Sequence, residues 1–221
     1  MFEGFTPETV DFLWGIRLNN NREWFLQHKK QYVEHLYEPM KALGAELFQP
    51  FLEKPGDLLK VSRIYRDARM HPAVPYKESL WICIRKDVQW WAENPCLFFE
   101  ICPEGIRYGF LLWSPSPAYM EAFRQKISAK PETFLKLVQE TEDAVGLPLS
   151  ASVYQRPKPT EDKRLEPYFA WKKNITCIFY EDFSEQTFGP DLKDRVGDVL
   201  KKMIPIYDYF NEIQTATGVT I

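Results

Sequence analysis

Histidine, cysteine and glycine are scarce in this chain of 221 residues, which contains three, four and ten of them. The cysteines form no Cys-x-x-Cys pair, so the spacing typical of a zinc site is missing. The sequence also has no glycine-rich phosphate loop, no Gly-x-Ser-x-Gly elbow and no His-Glu-x-x-His motif. The short signatures by which several enzyme classes are recognised are therefore absent. We therefore expect neither a metal ion nor a cofactor.

Long apolar runs are missing as well. None approaches the roughly 20 residues that a membrane-spanning helix needs, and the acidic first residues lack the apolar stretch of a secretory signal. Cys83, Cys96, Cys102 and Cys177 all lie in apolar runs, and we interpret them as buried thiols in a reducing compartment. The sequence predicts a cytoplasmic protein that does not contact a membrane.

Neither sign of charge is in large excess. The chain has 28 Lys and Arg against 31 Asp and Glu, a formal net charge of −3, and this balance argues against a general nucleic-acid binder. Hydrophobic residues make up 45% of the chain, which excludes disorder along its whole length. A chain of this size buries about 70% of its surface on folding. We expect residues 1–221 to form a single domain.

The periodicity of apolar residues changes along the chain. Thr6-Pro7 and Asn21 are typical of helix starts, so we expect two helices near the N-terminus. Further helices are predicted from residues 117 and 131 and after Gly189-Pro190. Strands are predicted at residues 58–65, 79–86, 96–102, 106–114 and 174–180. This order indicates an α+β fold, with a mostly antiparallel sheet of about five strands packed against N-terminal and C-terminal helices. Because residues 96–102 are apolar at both odd and even positions, we expect both sheet faces to be covered.

Residues 60–77 form the most unusual segment, because they contain five basic residues and a single acid. If residues 58–65 are a strand, Val61, Arg63 and Tyr65 share one face, which places Arg63 at the edge of the core. Arginine offers paired donors to phosphate and carboxylate groups. The segment therefore predicts an anion-binding pocket for a small molecule. The expected ligand-binding residues are Arg63, Arg66, Asp67, Arg69, Tyr76 and Lys77. In this hypothesis Asp67 orients one arginine and Tyr76 lines the wall.

Two alternatives remain open for the basic segment. It could be a structural ion-pair network with no ligand, in which Asp67, Glu23 or Glu100 are the partners of the arginines. It could also be a surface that binds a protein or a nucleic acid, for which Trp81, Tyr108 and Trp113 would form an aromatic platform. Packing in the core explains these rings equally well.

Candidates for acid–base chemistry are few. His28 and His35 are seven residues apart on a predicted helix, about 10.5 Å along its axis, too far to share a metal ion. His71 lies in the basic segment and is, with Asp67, the available acid–base group. No nucleophile is recognisable beside it. Whether the pocket binds its ligand or transforms it is left open by the sequence.

Three short motifs resemble those of the family called domain of unknown function 2461. They are Asn19-Asn20-Asn21-x-Glu23-Trp24-Phe25, Arg63-Ile64-Tyr65-Arg66-Asp67-Ala68-Arg69 and Pro75-Tyr76-Lys77. The resemblance extends over most of the chain and implies an α+β fold in a bacterial, cytoplasmic protein, but no established activity. Residues 70–74 depart from the family pattern, which has Phe-Ser and Asp-Lys in this loop. A role that depends on that Asp-Lys is therefore not carried over.

Overall fold

The computed structural model of the protein describes residues 1–67, 69–71 and 73–213. Ala68 and Pro72, which belong to the basic segment, lie outside the described residues. The predicted α+β class is confirmed. The helices are α1 (Pro7–Leu18), α2 (Arg22–Gln31), α3 (Glu38–Leu47), α4 (Pro117–Ala129), α5 (Pro131–Val145), α6 (Glu166–Phe169), α7 (Glu185–Phe188), α8 (Leu192–Lys202) and α9 (Ile204–Asn211). A π-helical turn, Tyr32–Tyr37, joins α2 to α3.

The helix starts follow the sequence signals. Thr6 forms a capping box with Thr9, and Pro7 begins α1. The Asn21 side chain accepts a hydrogen bond of 2.9 Å from the Trp24 amide and caps α2, as predicted. The predicted C-terminal helix is interrupted at Met203, because Pro205 in the first turn of α9 has no amide hydrogen with which to continue α8.

The sheet has six antiparallel strands in the order β1-β2-β3-β4-β6-β5. Their bounds are β1 (Asp57–Val61), β2 (Leu80–Lys86), β3 (Cys96–Cys102), β4 (Gly105–Leu112), β5 (Ser150–Val153) and β6 (Trp171–Asp182). The additional strand is β5, a short edge strand that pairs with β6 through an irregular register. The sequence gives it no clear signal, because it lies in a proline-rich and charged segment.

One face of the sheet carries the core. Alternate strand residues such as Ile82, Phe99 and Phe110 are fully buried there among side chains of the helices. The rings of Phe123 and Phe210, from α4 and α9, stack on each other in this layer with centroids 5.4 Å apart. All the helical side chains of the core pack on this face.

The other face of the sheet, which we call the open face, has no α-helix packed on it in the described part of the chain. Its centre is nevertheless buried: Cys83, Cys96 and Phe98 are 3–7% exposed and form a separate small cluster, against which Trp81, Leu111 and Ile178 pack. The expectation that both faces are covered therefore holds for the centre of β3, where the second face is covered by strand and loop side chains instead of helices. Among the described residues, no helix is long and apolar enough to cross a bilayer.

Candidate functional site

Beyond Val61 the chain continues as a ribbon that projects from the β1–β2 edge of the sheet. The Arg66 amide donates to the Pro75 carbonyl at 2.8 Å, and the Lys77 amide donates to the Ile64 carbonyl at 2.7 Å. We call residues 62–67 and 75–79 the basic ribbon. Burial continues to alternate beyond β1, since Ser62 and Ile64 are buried whereas Arg63 and Tyr65 are exposed. Arg63 and Tyr65 therefore share one face as expected, but the expectation that Arg63 lies at the edge of the core is wrong, because that face is exposed.

Asn20 ties the basic ribbon to the N-terminal helices. Its side chain donates to the Tyr76 carbonyl and accepts from the Tyr76 amide, each at 3.0 Å, as a neighbouring β-strand would. The Tyr76 ring is 4% exposed and stacks on Phe25 with centroids 4.3 Å apart. The three motifs that carry the family resemblance therefore meet at one place. Tyr76, expected to line the pocket wall, anchors the ribbon.

Replacing Asn20 by alanine is expected to lower the free energy of unfolding by about 1–3 kcal/mol, because the Tyr76 amide loses its partner and the Tyr76 carbonyl keeps only Arg66 Nε. Urea denaturation of the purified variant measures this change. Gln49→Ala is the matched control, since Gln49 makes one exposed bond, to the Ala45 carbonyl, and its loss should change stability by about 0.5 kcal/mol or less. Equal effects of the two substitutions would contradict the anchoring role.

Arg69 and Asp67 form a pair at the exposed end of the ribbon. The Arg69 Nε and Nη2 atoms donate to the two Asp67 oxygens at 3.0 and 2.6 Å. These hydrogen bonds lower the pKa of Asp67, so the carboxylate stays ionised and is a poor acid at neutral pH. Arg69 already has a carboxylate partner and its side chain is 89% exposed. Asp67 orients an arginine, as predicted.

Arg63, Arg66 and Lys77 form what we call the cationic cluster. The three residues are neighbours on the ribbon, because the Lys77 amide donates to the carbonyl of Ile64, which follows Arg63 in the chain, at 2.7 Å. Burial, followed by the positive charges of Arg63 and Arg66, lowers the pKa of Lys77. The Nε atom of Arg66 donates to the Tyr76 carbonyl at 2.8 Å, which fixes the guanidinium group in place. Among the described residues, these three cations form no salt bridge within 4.0 Å.

The cationic cluster adjoins a cleft on the open face of the sheet. Lys77 Nζ lies 5.5 Å from the centroid of the Trp81 ring, and Trp81 lines the cleft. The cleft encloses a volume of about 370 Å³. Its floor is apolar and is formed by side chains of four strands: Cys83, Phe98, Leu111 and Ile178.

Aromatic rings form the walls of the cleft. Trp81 and Trp91 lie with their ring centroids 6.1 Å apart and their planes tilted by 32°. Trp113 and Tyr180 also line the cleft and are 57% and 70% exposed. Trp81 and Trp113 were predicted as members of a platform. Tyr108, the third, is buried on the core face, because strand alternation points it away from Arg107 and Gly109.

One ion pair lies in the cleft. The Glu100 carboxylate is 12% exposed and lies 2.5 Å from Arg107 Nη2. Ser79 Oγ donates to its other oxygen at 2.6 Å. Glu100 was one of the acids expected to pair with the basic segment. Instead, it accepts hydrogen bonds from Arg107 and Ser79. Its negative charge acts on Lys77 and partly offsets the effect of the arginines on the pKa of that lysine.

The Cys96 thiol in the cleft is a poor nucleophile. A hydrogen bond with Cys83, together with burial, raises the pKa of Cys96 well above its ordinary value, and reactivity requires the thiolate. His71, the acid–base candidate, is exposed in the loop at the end of the ribbon. The groups best placed for chemistry are therefore the cations and not this thiol.

Sequence reasoning found the cationic cluster but missed the cleft beside it. Arg107, Asn174 and Thr176 were not predicted as site residues, although all three line the cleft. The available signal was the apolar character of β3 at both parities, which indicates two buried or partly buried faces. Periodicity alone does not distinguish a face covered by helices from one that forms a cleft.

Comparison with protein families gives one match. The model of a family described as "Conserved hypothetical protein (DUF2461)" matches residues 8–209, which include the basic ribbon and every strand that lines the cleft. No curated protein matches the chain.

Proposed function

Because this chain belongs to the DUF2461 family, whose description as conserved hypothetical protein names no activity, we propose its function from the site. The protein binds a small organic anion. The cationic cluster holds a phosphate or carboxylate group of the ligand, and the cleft holds its apolar part.

The observation that carries this proposal is a cluster of three cations beside an apolar cleft. Arg63, Arg66 and Lys77 have no carboxylate partner within the described residues, whereas Arg69, a few residues away, is fully paired with Asp67. Like charges held together raise the free energy of the folded state unless an anion or water offsets them. A bound anion relieves this repulsion, and arginine supplies the paired donors that phosphate and carboxylate accept.

The cleft supports an apolar or aromatic ligand body. Its volume of about 370 Å³ falls in the range of about 300–1,000 Å³ typical of small-molecule sites. The Trp81 ring belongs to both parts of the site, since Lys77 Nζ lies over it and it lines the cleft. An aromatic ring bound beside Trp81 therefore has its anionic substituent close to the cationic cluster.

Calorimetric titration with phenyl phosphate and inorganic phosphate tests the proposal. We expect phenyl phosphate to bind at least about tenfold more tightly than inorganic phosphate, because burying the ring adds more than about 1.4 kcal/mol. Arg66→Ala should weaken the binding of both ligands. Ile178→Trp, which fills the floor of the cleft, should weaken only the binding of phenyl phosphate.

Arg69→Ala is the matched control for Arg66→Ala, since it removes the same charge from the same segment but from an arginine that Asp67 already pairs. Its affinity for both ligands should be that of the wild type within about twofold. Equal losses in the two arginine variants would indicate general attraction to a basic surface and would contradict the proposed site. A protein that binds neither phenyl phosphate nor inorganic phosphate would also contradict the proposed site.

A cytoplasmic location belongs to the same proposal. All four cysteines are free, and Cys83, Cys96 and Cys177 are buried. Free buried thiols are typical of proteins in a reducing compartment.

A further inference from the structure

Lys77 differs in its surroundings from other lysines of the chain. Lys86 lies 3.0 Å from Asp57, and Lys54 lies 2.5 Å from Asp208. Lys77 instead is half-buried and lies over the Trp81 ring. Its charged neighbours are Arg63, Arg66 and the Glu100 carboxylate, which already accepts hydrogen bonds from Arg107 and Ser79. Its amine is therefore placed at the edge of an apolar cleft without a carboxylate partner in the part of the chain that the structure describes.

These surroundings are those of a reactive amine. An amine attacks a carbonyl carbon only in its neutral form, and burial beside other cations is one way in which proteins favour that form. Burial and the charges of Arg63 and Arg66 lower the pKa of Lys77. A larger fraction of this lysine is consequently neutral at a given pH than of a lysine with the ordinary pKa.

We propose that the Lys77 amine forms a reversible imine with an aldehyde or ketone ligand that also carries a phosphate or carboxylate group. The inference rests on the proposed function and names its ligand class. Arg63 and Arg66 hold the anionic group, and the carbonyl carbon lies within reach of Lys77 Nζ. The arginines thus serve two purposes, since they bind the ligand and favour the neutral amine.

The chemistry balances without a further reactant. The nitrogen lone pair of neutral Lys77 adds to the carbonyl carbon, and a proton moves from nitrogen to the carbonyl oxygen to give a carbinolamine. The carbinolamine then loses its oxygen as water, and the carbon–nitrogen double bond forms. Hydrolysis reverses these steps.

Pyridoxal 5′-phosphate is a suitable probe, because it carries an aldehyde and a phosphate on one planar ring. The full-length protein is incubated with limiting probe, borohydride reduces any imine to a stable secondary amine, and peptide mass mapping locates the label. We expect Lys77 to be labelled at least about tenfold faster than Lys60, an exposed lysine on β1. Inorganic phosphate should slow labelling at Lys77 and leave Lys60 unchanged.

Two measurements distinguish a failure of this inference from a failure of the proposed function. Pyridoxine 5′-phosphate has an alcohol in place of the aldehyde and forms no imine, so its affinity reports binding alone. If it binds in competition with inorganic phosphate while pyridoxal 5′-phosphate labels Lys77 no faster than Lys60, the imine inference is wrong and the proposed function stands. If neither compound binds, both are wrong.

Lys77→Arg keeps the positive charge but removes the nucleophile. This variant should show no rapidly labelled lysine. A rapidly labelled lysine in Lys77→Arg would overturn the assignment to Lys77.

Discussion

Lys77→Met is expected to bind phenyl phosphate about thirtyfold more weakly and to unfold at the same temperature as the wild type or at a higher one. The loss of affinity corresponds to about 2 kcal/mol for one hydrogen bond between charged groups. Methionine is an unbranched apolar side chain of similar length and makes favourable contacts with aromatic rings, so packing against Trp81 is retained. Calorimetric titration and thermal unfolding measure the two effects.

The expected gain in stability follows from the sign of the pKa shift. The pKa of Lys77 is lowered in the folded protein, so the folded state disfavours the charged form relative to the unfolded chain. At neutral pH, where lysine is charged in both states, this cost is present in full. As the pH rises through the lowered pKa, Lys77 loses its proton in the folded protein before it does so in the unfolded chain. The free energy of unfolding therefore increases until the pH reaches the ordinary lysine pKa of about 10.4. Methionine removes the cost at every pH.

The difference in stability between Lys77→Met and the wild type should therefore decrease as the pH rises through the lowered pKa of Lys77. Lys60→Met is the matched control for affinity, since Lys60 is exposed on β1 and its removal should leave phosphate affinity unchanged. A clear loss of stability in Lys77→Met would show that this lysine has a structural role and would contradict our account.

Gly109→Ala is expected to reduce the free energy of unfolding by more than about 3 kcal/mol. Gly109 lies in the middle of β4 with φ of +145°, a conformation that side chains rarely adopt, and a Cβ atom there would lie 2.1 Å from the Cys177 carbonyl oxygen. The strained backbone alone costs about 1–3 kcal/mol. The clash adds to this, because the oxygen belongs to β6 and moves only if the strands separate.

Gly109 also matters for the shape of the cleft. In the register of the sheet it lies between Phe98 and Ile178, both of which line the floor. Because glycine has no side chain, no side-chain atoms fill the centre of the cleft floor at this position. We infer that glycine is required here both for strand pairing and for the depth of the site.

Gly197→Ala is the control for Gly109→Ala. Gly197 lies within α8, and a Cβ atom there would meet Leu47 Cδ2 at 3.7 Å, an ordinary contact. Alanine at a helix position should increase stability by about 0.5–1 kcal/mol. Urea denaturation of both variants should give changes of opposite sign. A Gly109→Ala protein as stable as the wild type would contradict the close approach of β4 and β6.

The sequence predicts most of the fold because its local signals agree with its tertiary packing. β3 begins and ends at the predicted residues, and α5 begins at the predicted residue 131, where apolar periodicity and a proline in the first helical turn agree. Strand β5 was missed, because four small residues at a sheet edge have little apolar pattern of their own.

The site was less predictable, because its geometry depends on contacts that are distant in sequence. The cations were found from composition, but Arg63 was misplaced, because periodicity shows which residues share a face and not which of the two faces is exposed. The hydrogen bonds between Asn20 and Tyr76 join residues 56 positions apart. The periodicity of β2, β3 and β4 likewise does not indicate which of their apolar faces lacks a helical layer.

A crystal structure of the protein with phenyl phosphate tests the central claim most directly. Our account predicts that phosphate oxygens lie within hydrogen-bond distance of Arg63, Arg66 and Lys77, with the phenyl ring in the cleft beside Trp81. A phosphate group bound at Arg69 or elsewhere, or a phenyl ring outside the cleft, would contradict it.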